Sequence, residues 1–167
     1  MLPSVWQTIR VVAETPHVPV LGREVAAWLD PEPGMTVVDC TFGAGGHAHL
    51  LAEAMGGRGA YVAIDRDPSV REHFLRFRDA HPDMSARLLR CDFAVGLRNL
   101  AATGTRADAV LMDLGVSSMQ IDTPQRGFSY AVDAPLDMRM DPGAERSAAD
   151  LLNGLPERDL GLLFQRL

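Results

Sequence analysis

Short apolar runs alternate with amphipathic stretches along this chain as far as Leu114. The runs at 35–40, 60–65, 86–91 and 107–114 predict strands. Val37-Val38 and the stretch ending Val110-Leu111-Met112 are nearly continuous in apolar character, as in parallel strands covered on both faces. Arg87 and Arg90 give the third run an edge character. Between the strands the spacing predicts helices. One covers 19–29, with Val20, Leu21, Val25 and Leu29 on one side. A second covers 47–55 and is stopped by Gly56-Gly57. A third opens at Asp67-Pro68, an N-cap followed by proline at the first helical position, and runs to about Ala80 with Val70, Phe74 and Phe77 inward. A short fourth covers 93–101. Strands alternating with helices predict an α/β fold built on a parallel sheet with right-handed crossovers.

The pattern changes after Leu114. Residues 115–142 show no helical or strand period and carry Pro124, Gly127, Pro135 and Pro142. A loop of this length inside a domain is functional or disordered as a rule. Its apolar content, including Phe128, Tyr130, Leu136, Met138 and Met140, is too high for simple disorder. It reads as an ordered lid or a connection into a second subdomain. Residues 147–152 and 156–167 then read as helices, with Ser147 an N-cap. Residues 1–16 have no strong pattern and read as a flexible lead-in. The organisation expected is that lead-in, a cofactor-binding domain at 17–114, a lid at 115–142 and the start of a helical insertion at 143–167.

The chemistry concentrates where the first two strands end. Val37-Val38-Asp39 runs into the glycine-rich turn Thr41-Phe42-Gly43-Ala44-Gly45-Gly46-His47, and a helix follows. Glycines allow a sharp turn and close approach of a ligand to the main chain, and the helix start offers N–H groups to it. Asp65 ends the second strand 19 residues after Gly46, near the spacing of about 20 at which a carboxylate receives ribose hydroxyls in Rossmann-like sites. This predicts a nucleoside-containing cofactor. The turn lacks the G-x-G-x-x-G of a pyrophosphate cradle, and Asp39 lies four residues before Gly43. An acid there suits the ammonium and sulfonium of S-adenosylmethionine better than phosphates.

Composition narrows the picture further. Hydrophobic residues make up 47% and charged residues 23% of 167 residues, ordinary for a globular domain. No run reads as a signal peptide or a bilayer span, which predicts a cytoplasmic protein with no membrane partner. Cys40 and Cys91 fall at strand ends without metal-ligand spacing, and His47 and His49 lack an evident third ligand. All 16 basic residues are arginine, and the net charge of −6 argues against a non-specific polyanion binder.

Several runs then resemble one family. Asp113-Leu114-Gly115-Val116-Ser117-Ser118-Met119-Gln120, Arg126-Gly127-Phe128-Ser129 and Pro135-Leu136-Asp137-Met138-Arg139 are similar to signature runs of the bacterial MraW (RsmH) methyltransferases. His17-Val18-Pro19-Val20-Leu21, the turn from Asp39 to His47, and Ile64-Asp65-Arg66-Asp67-Pro68 fit the same family in the same order. Ala44 stands where arginine is common, Met119 where proline is usual and Ile121 where leucine is usual. The family continues well beyond a chain of this length, so this sequence resembles its N-terminal part.

The resemblance implies a Rossmann-like class I methyltransferase that transfers a methyl group from S-adenosylmethionine to the N4 amino group of a cytidine. The partner implied is 16S ribosomal RNA, within the small ribosomal subunit. It implies Gly45, Gly46, His47, Asp65, Phe93, Asp113 and Gln120 as cofactor-binding residues, with Asp65 on the ribose and Phe93 over the adenine. Asp113 is the candidate catalytic residue, accepting an N4 hydrogen or positioning the cofactor; Ser117, Ser118 and Asp137 are weaker candidates. Amino-methyltransferases often carry a D-P-P-Y type motif there, whereas this chain has Asp-Leu-Gly-Val. Arg126, Arg139 and Arg146 either meet RNA phosphates or form salt bridges that hold the loop. Two other readings remain at this point: a non-catalytic module that binds the cofactor or a ribosomal partner, and a nicotinamide-dependent oxidoreductase.

Overall fold

The computed structural model describes residues 19–166. The lead-in expected at 1–16 lies outside the described residues. Strands β1 (Thr36–Asp39), β2 (Gly59–Asp65), β3 (Met84–Arg90) and β4 (Ala109–Leu111) form one parallel sheet in the order β3-β2-β1-β4. Helices α1 (Gly22–Leu29), α2 (Gly46–Ala54), α3 (Val70–Ala80) and α4 (Phe93–Ala102) alternate with them. This order is the Rossmann arrangement over its first four strands, so the α/β, Rossmann-like sheet expected from the alternation is the one that forms.

The sequence pattern explains which strands lie inside. Val37 and Val38 of β1 and Val62, Ala63 and Ile64 of β2 are all buried. Leu51 of α2, Met55 just after it, and Val70 and Phe77 of α3 are fully excluded from solvent. On another part of the sheet, a side chain at Gly96 would come within 2.9 Å of Ile64, so α4 can sit this close to β2 only because residue 96 has none. β3 forms an edge, as Arg87 and Arg90 suggested.

Local expectations fail in three places. α1 begins at Gly22, after Leu21 in a left-handed conformation, and Val20 and Leu21 are exposed. The buried face is the small pair Gly22 and Ala26, which lets α1 lie against α2. α3 begins at Val70 because the Asp67 carboxylate accepts from the Ser69 N–H at 2.9 Å and the Ser69 hydroxyl at 2.7 Å, closing a turn ahead of the helix. β4 covers Ala109–Leu111 rather than 107–114. Its partner β1 ends at Asp39, opposite Leu111, so the ladder has no neighbour to extend along. Met112 and Leu114, past the end of the ladder, are accordingly exposed.

The described residues divide into two compact units, 19–114 and 115–166. In the second, the stretch without a sequence period contains α5 (Ser118–Ile121) and a 3-10 turn at Pro124–Arg126. Ser117 opens α5 with a capping box closed by Gln120. The Arg126 guanidinium donates to the carbonyls of Arg139 at 2.9 Å and Met140 at 2.8 Å. Arg139 forms a two-pronged ion pair with Asp137, at 2.9 and 2.7 Å. Arg139 therefore takes the salt-bridge role open to it in the sequence, and Arg126 ties the loop through main-chain carbonyls. Helices α6 (Ala148–Gly154) and α7 (Glu157–Gln165) follow, α6 opened by a capping box between Ser147 and Asp150.

Candidate cofactor and catalytic site

Parallel pairing brings the carboxyl ends of β1, β2 and β4 together, where open α/β sheets place their ligands. β1 leads into the glycine turn. Asp39, its last residue, is 1% exposed. Its Oδ1 accepts from the Thr41 N–H at 3.0 Å, and its Oδ2 from the Tyr61 hydroxyl at 2.8 Å. Burial pushes the Asp39 pKa up to about 6; these hydrogen bonds hold it lower and the Asp65 charge adds to the rise. Asp39 is thus a buried brace for the turn and not an open acid facing a ligand's ammonium group, which corrects the reading of its position in the sequence. Burial also pushes the neighbouring Cys40 thiol up to about 11, helped by the Asp39 charge, which leaves it protonated at neutral pH.

The turn itself is built for close approach. Gly43 and Gly45 adopt φ of 54° and 83°. A side chain at Gly45 would stand 3.1 Å from the Phe42 ring, and that ring packs edge-on against Phe74 and Phe77. At Gly43 only the Thr41 carbonyl, at 3.9 Å, lies near the place a side chain would take, so the turn is open there. Gly45 caps α2 and Gly46 begins it, which aims the first-turn N–H groups at the same end of the sheet.

Asp65 ends β2 two residues past the Asp39–Ala63 pairing. Its Oδ2 accepts from the Gly43 N–H at 2.9 Å and its Oδ1 from the Asp67 N–H at 2.9 Å. Burial raises its pKa above the usual carboxylate range; the bonds from Asp67 and Gly43 oppose this, and the Asp67 charge adds to it. A carboxylate offers about four acceptor positions, so two backbone bonds fix Asp65 in place with capacity left for a ligand's hydroxyls.

Asp113 follows β4 with its side chain 58% exposed. Its backbone N–H donates to the Thr41 hydroxyl at 2.8 Å, and its Oδ2 lies 3.4 Å from Nε2 of the buried His47. Phe93 opens α4 and is 36% exposed. Beside it Asp92 caps the helix, accepting from the Ala94 N–H at 2.8 Å, while its other oxygen lies 3.8 Å from Arg66. Gly45, Gly46, His47, Asp65, Phe93 and Asp113 therefore all lie in the first unit, at strand ends or the helix starts that follow them. Gln120 belongs to the second unit, where its side chain accepts from the Ser117 N–H at 3.0 Å. The structure adds Thr41 and Tyr61, which the sequence reading passed over. Tyr61 sits in an apolar strand and reads as core; only its pairing across from Val37 reveals a hydroxyl beside Asp39.

His49 bonds His81 at 3.0 Å and packs edge-on against Phe77. Among the described residues no cluster of three or more His, Cys, Asp or Glu side chains is placed to hold a metal ion. No helix among them is long and apolar enough to cross a membrane.

With this geometry in place, comparison with known proteins gives the family. The model of the MraW methylase family matches residues 14–167. The chain belongs to the MraW methylase family. A ribosomal RNA small subunit methyltransferase H from Rubrobacter xylanophilus is 43% identical over 157 residues, covering 89% of this chain and 47% of that protein. The protein of that name from Brucella suis is 44% identical over 160 residues, covering 93% of this chain and 44% of its own length. That from Mycobacterium avium is 42% identical, covering 95% and 44%. The chain thus spans just under half the length of the curated relatives it matches.

Proposed function

We propose that this chain is the cofactor-binding and lid portion of an S-adenosylmethionine-dependent methyltransferase that modifies the N4 amino group of a cytidine in 16S ribosomal RNA, in the cytoplasm. Within it, 17–114 is the cofactor-binding domain, 115–142 the lid and 143–167 the start of a helical insertion. The observation that carries the reading is the Asp65 carboxylate, fixed by the Gly43 and Asp67 N–H groups beside an open glycine turn. Membership of the MraW methylase family, and relatives named ribosomal RNA small subunit methyltransferase H, support the substrate class.

The residues present fit such a cofactor. Asp65 receives ribose hydroxyls, Phe93 offers a half-open ring to the adenine, and Gly45, Gly46 and His47 line the approach to the methionine portion. The family resemblance also assigns Gln120, in the second unit, to the cofactor. When bound, S-adenosylmethionine supplies an already activated methyl group, so the protein's task is alignment. Asp113 presents a solvent-facing carboxylate beside this turn. Accepting a hydrogen from the cytosine amine stabilises the positive charge that develops on nitrogen during transfer. The cytidine must leave its stack to reach Asp113.

Calorimetric titration with S-adenosylhomocysteine and with NAD tests the reading. Binding of the first alone is expected, weakened by about 1–3 kcal/mol in Asp65→Ala through loss of a charged acceptor. NAD binding, or an unchanged affinity in the variant, refutes it. In the enzyme, Asp113→Ala should abolish transfer to small-subunit RNA.

A further inference from the structure

The Thr41 hydroxyl joins two parts of the site that the chain separates by 72 residues. The pairing of β1 with β4 ends at Asp39 and Leu111, with one further bond from the Cys40 N–H to the Leu111 carbonyl at 2.9 Å. Beyond it the strand leaves the sheet, and Met112, Asp113 and Leu114 are exposed. The Asp113 N–H is then tied at 2.8 Å to the Thr41 side chain.

Thr41 is itself fixed from below. Its N–H donates to the buried Asp39 carboxylate at 3.0 Å, and its hydroxyl lies 3.5 Å from the same oxygen. Tyr61 secures the other oxygen of Asp39. A hydroxyl has one proton to give and two lone pairs to receive with. With its proton turned toward Asp39, Thr41 presents a lone pair to Asp113. The result is a continuous run of bonds from the core, through Asp39 and Thr41, to the backbone of the residue that carries the exposed carboxylate.

We infer that Thr41 is a positioning residue: it sets the backbone of Asp113, and so places the Asp113 carboxylate beside the glycine turn and His47. The inference rests on the methyltransferase reading for its catalytic consequence, and on the bond geometry alone for its structural one. Thr41→Val keeps the shape and removes the acceptor, whereas Thr41→Ser keeps the acceptor.

Two measurements on the full-length enzyme test it. The first is amide hydrogen exchange at Asp113 by NMR. Exchange should speed up about tenfold or more in Thr41→Val, while Thr41→Ser stays close to wild type. The second is methyl transfer to small-subunit ribosomal RNA. Thr41→Val should lower kcat about tenfold or more and be rescued by Thr41→Ser. Unchanged exchange at Asp113 in Thr41→Val overturns the inference, as does a serine variant as damaged as the valine one. Wild-type enzyme that transfers no methyl group to this RNA refutes the functional reading instead, and the exchange measurement still decides the role of Thr41.

Discussion

Asp39 gives the protein a pH-dependent stability that follows from its surroundings. The carboxylate is 1% exposed, and burial lifts its pKa from 3.8 to about 6 against the pull of its hydrogen bonds to Thr41 and Tyr61. Between those two values the folded chain holds the proton more tightly than the unfolded chain. Stability from this group is therefore greatest below the unfolded value and falls as pH rises through the folded one. At about 1.4 kcal/mol for each tenfold change in proton affinity, the full loss is about 3 kcal/mol. About 2 kcal/mol of it falls between about pH 4 and about pH 7. Asp65, also raised by burial, acts in the same direction, and Asp137, held at about 2 by Arg139, acts in the opposite one. Comparison with Asp39→Asn isolates the Asp39 contribution, because the amide does not titrate. Urea unfolding of both proteins across this range should show wild-type stability falling by about 2 kcal/mol relative to the variant as pH rises. A difference that stays flat to within about 0.5 kcal/mol would refute burial of an ionised Asp39 as its governing feature. The hydrogen bonds from Thr41 and Tyr61 are stronger to the ionised form and offset part of this cost at neutral pH.

Two further substitutions test the local geometry. Gly45→Ala places a side chain at φ 83° and 3.1 Å from the Phe42 ring; it should destabilise the protein by about 1–3 kcal/mol, read by denaturant unfolding, and an unchanged midpoint would show that the turn relaxes freely. Ser147→Ala removes the cap of α6 and should cost about 1 kcal/mol, read as faster amide exchange at Leu151, whereas Ser147→Asp should keep protection.

Much of the candidate site was legible before any tertiary structure. The glycines, Asp65 and Asp113 stand at strand ends, and strand ends can be read from apolar runs that stop at a charge. A helix start was legible where the cap is local, as at Ser147, since the side chain and the N–H it receives from are three residues apart. The start of α3 was misread for the same physical reason in reverse. Asp67 does close a local turn with Ser69, but the turn stands before the helix and not at its first position.

The sequence by itself determined the alternation of strands and helices, and with it a parallel sheet whose carboxyl ends carry the chemistry, because periodicity and capping depend on neighbours along the chain. Tertiary structure decided what those residues do for one another. It turned Asp39 from a ligand-facing acid into a buried brace, since only strand pairing sets Tyr61 against it. It shortened β4, since a ladder extends no further than its partner. It joined Thr41 to Asp113 across 72 residues. Contacts between residues far apart in sequence leave no period to read; they exist only once the strands that carry them lie side by side.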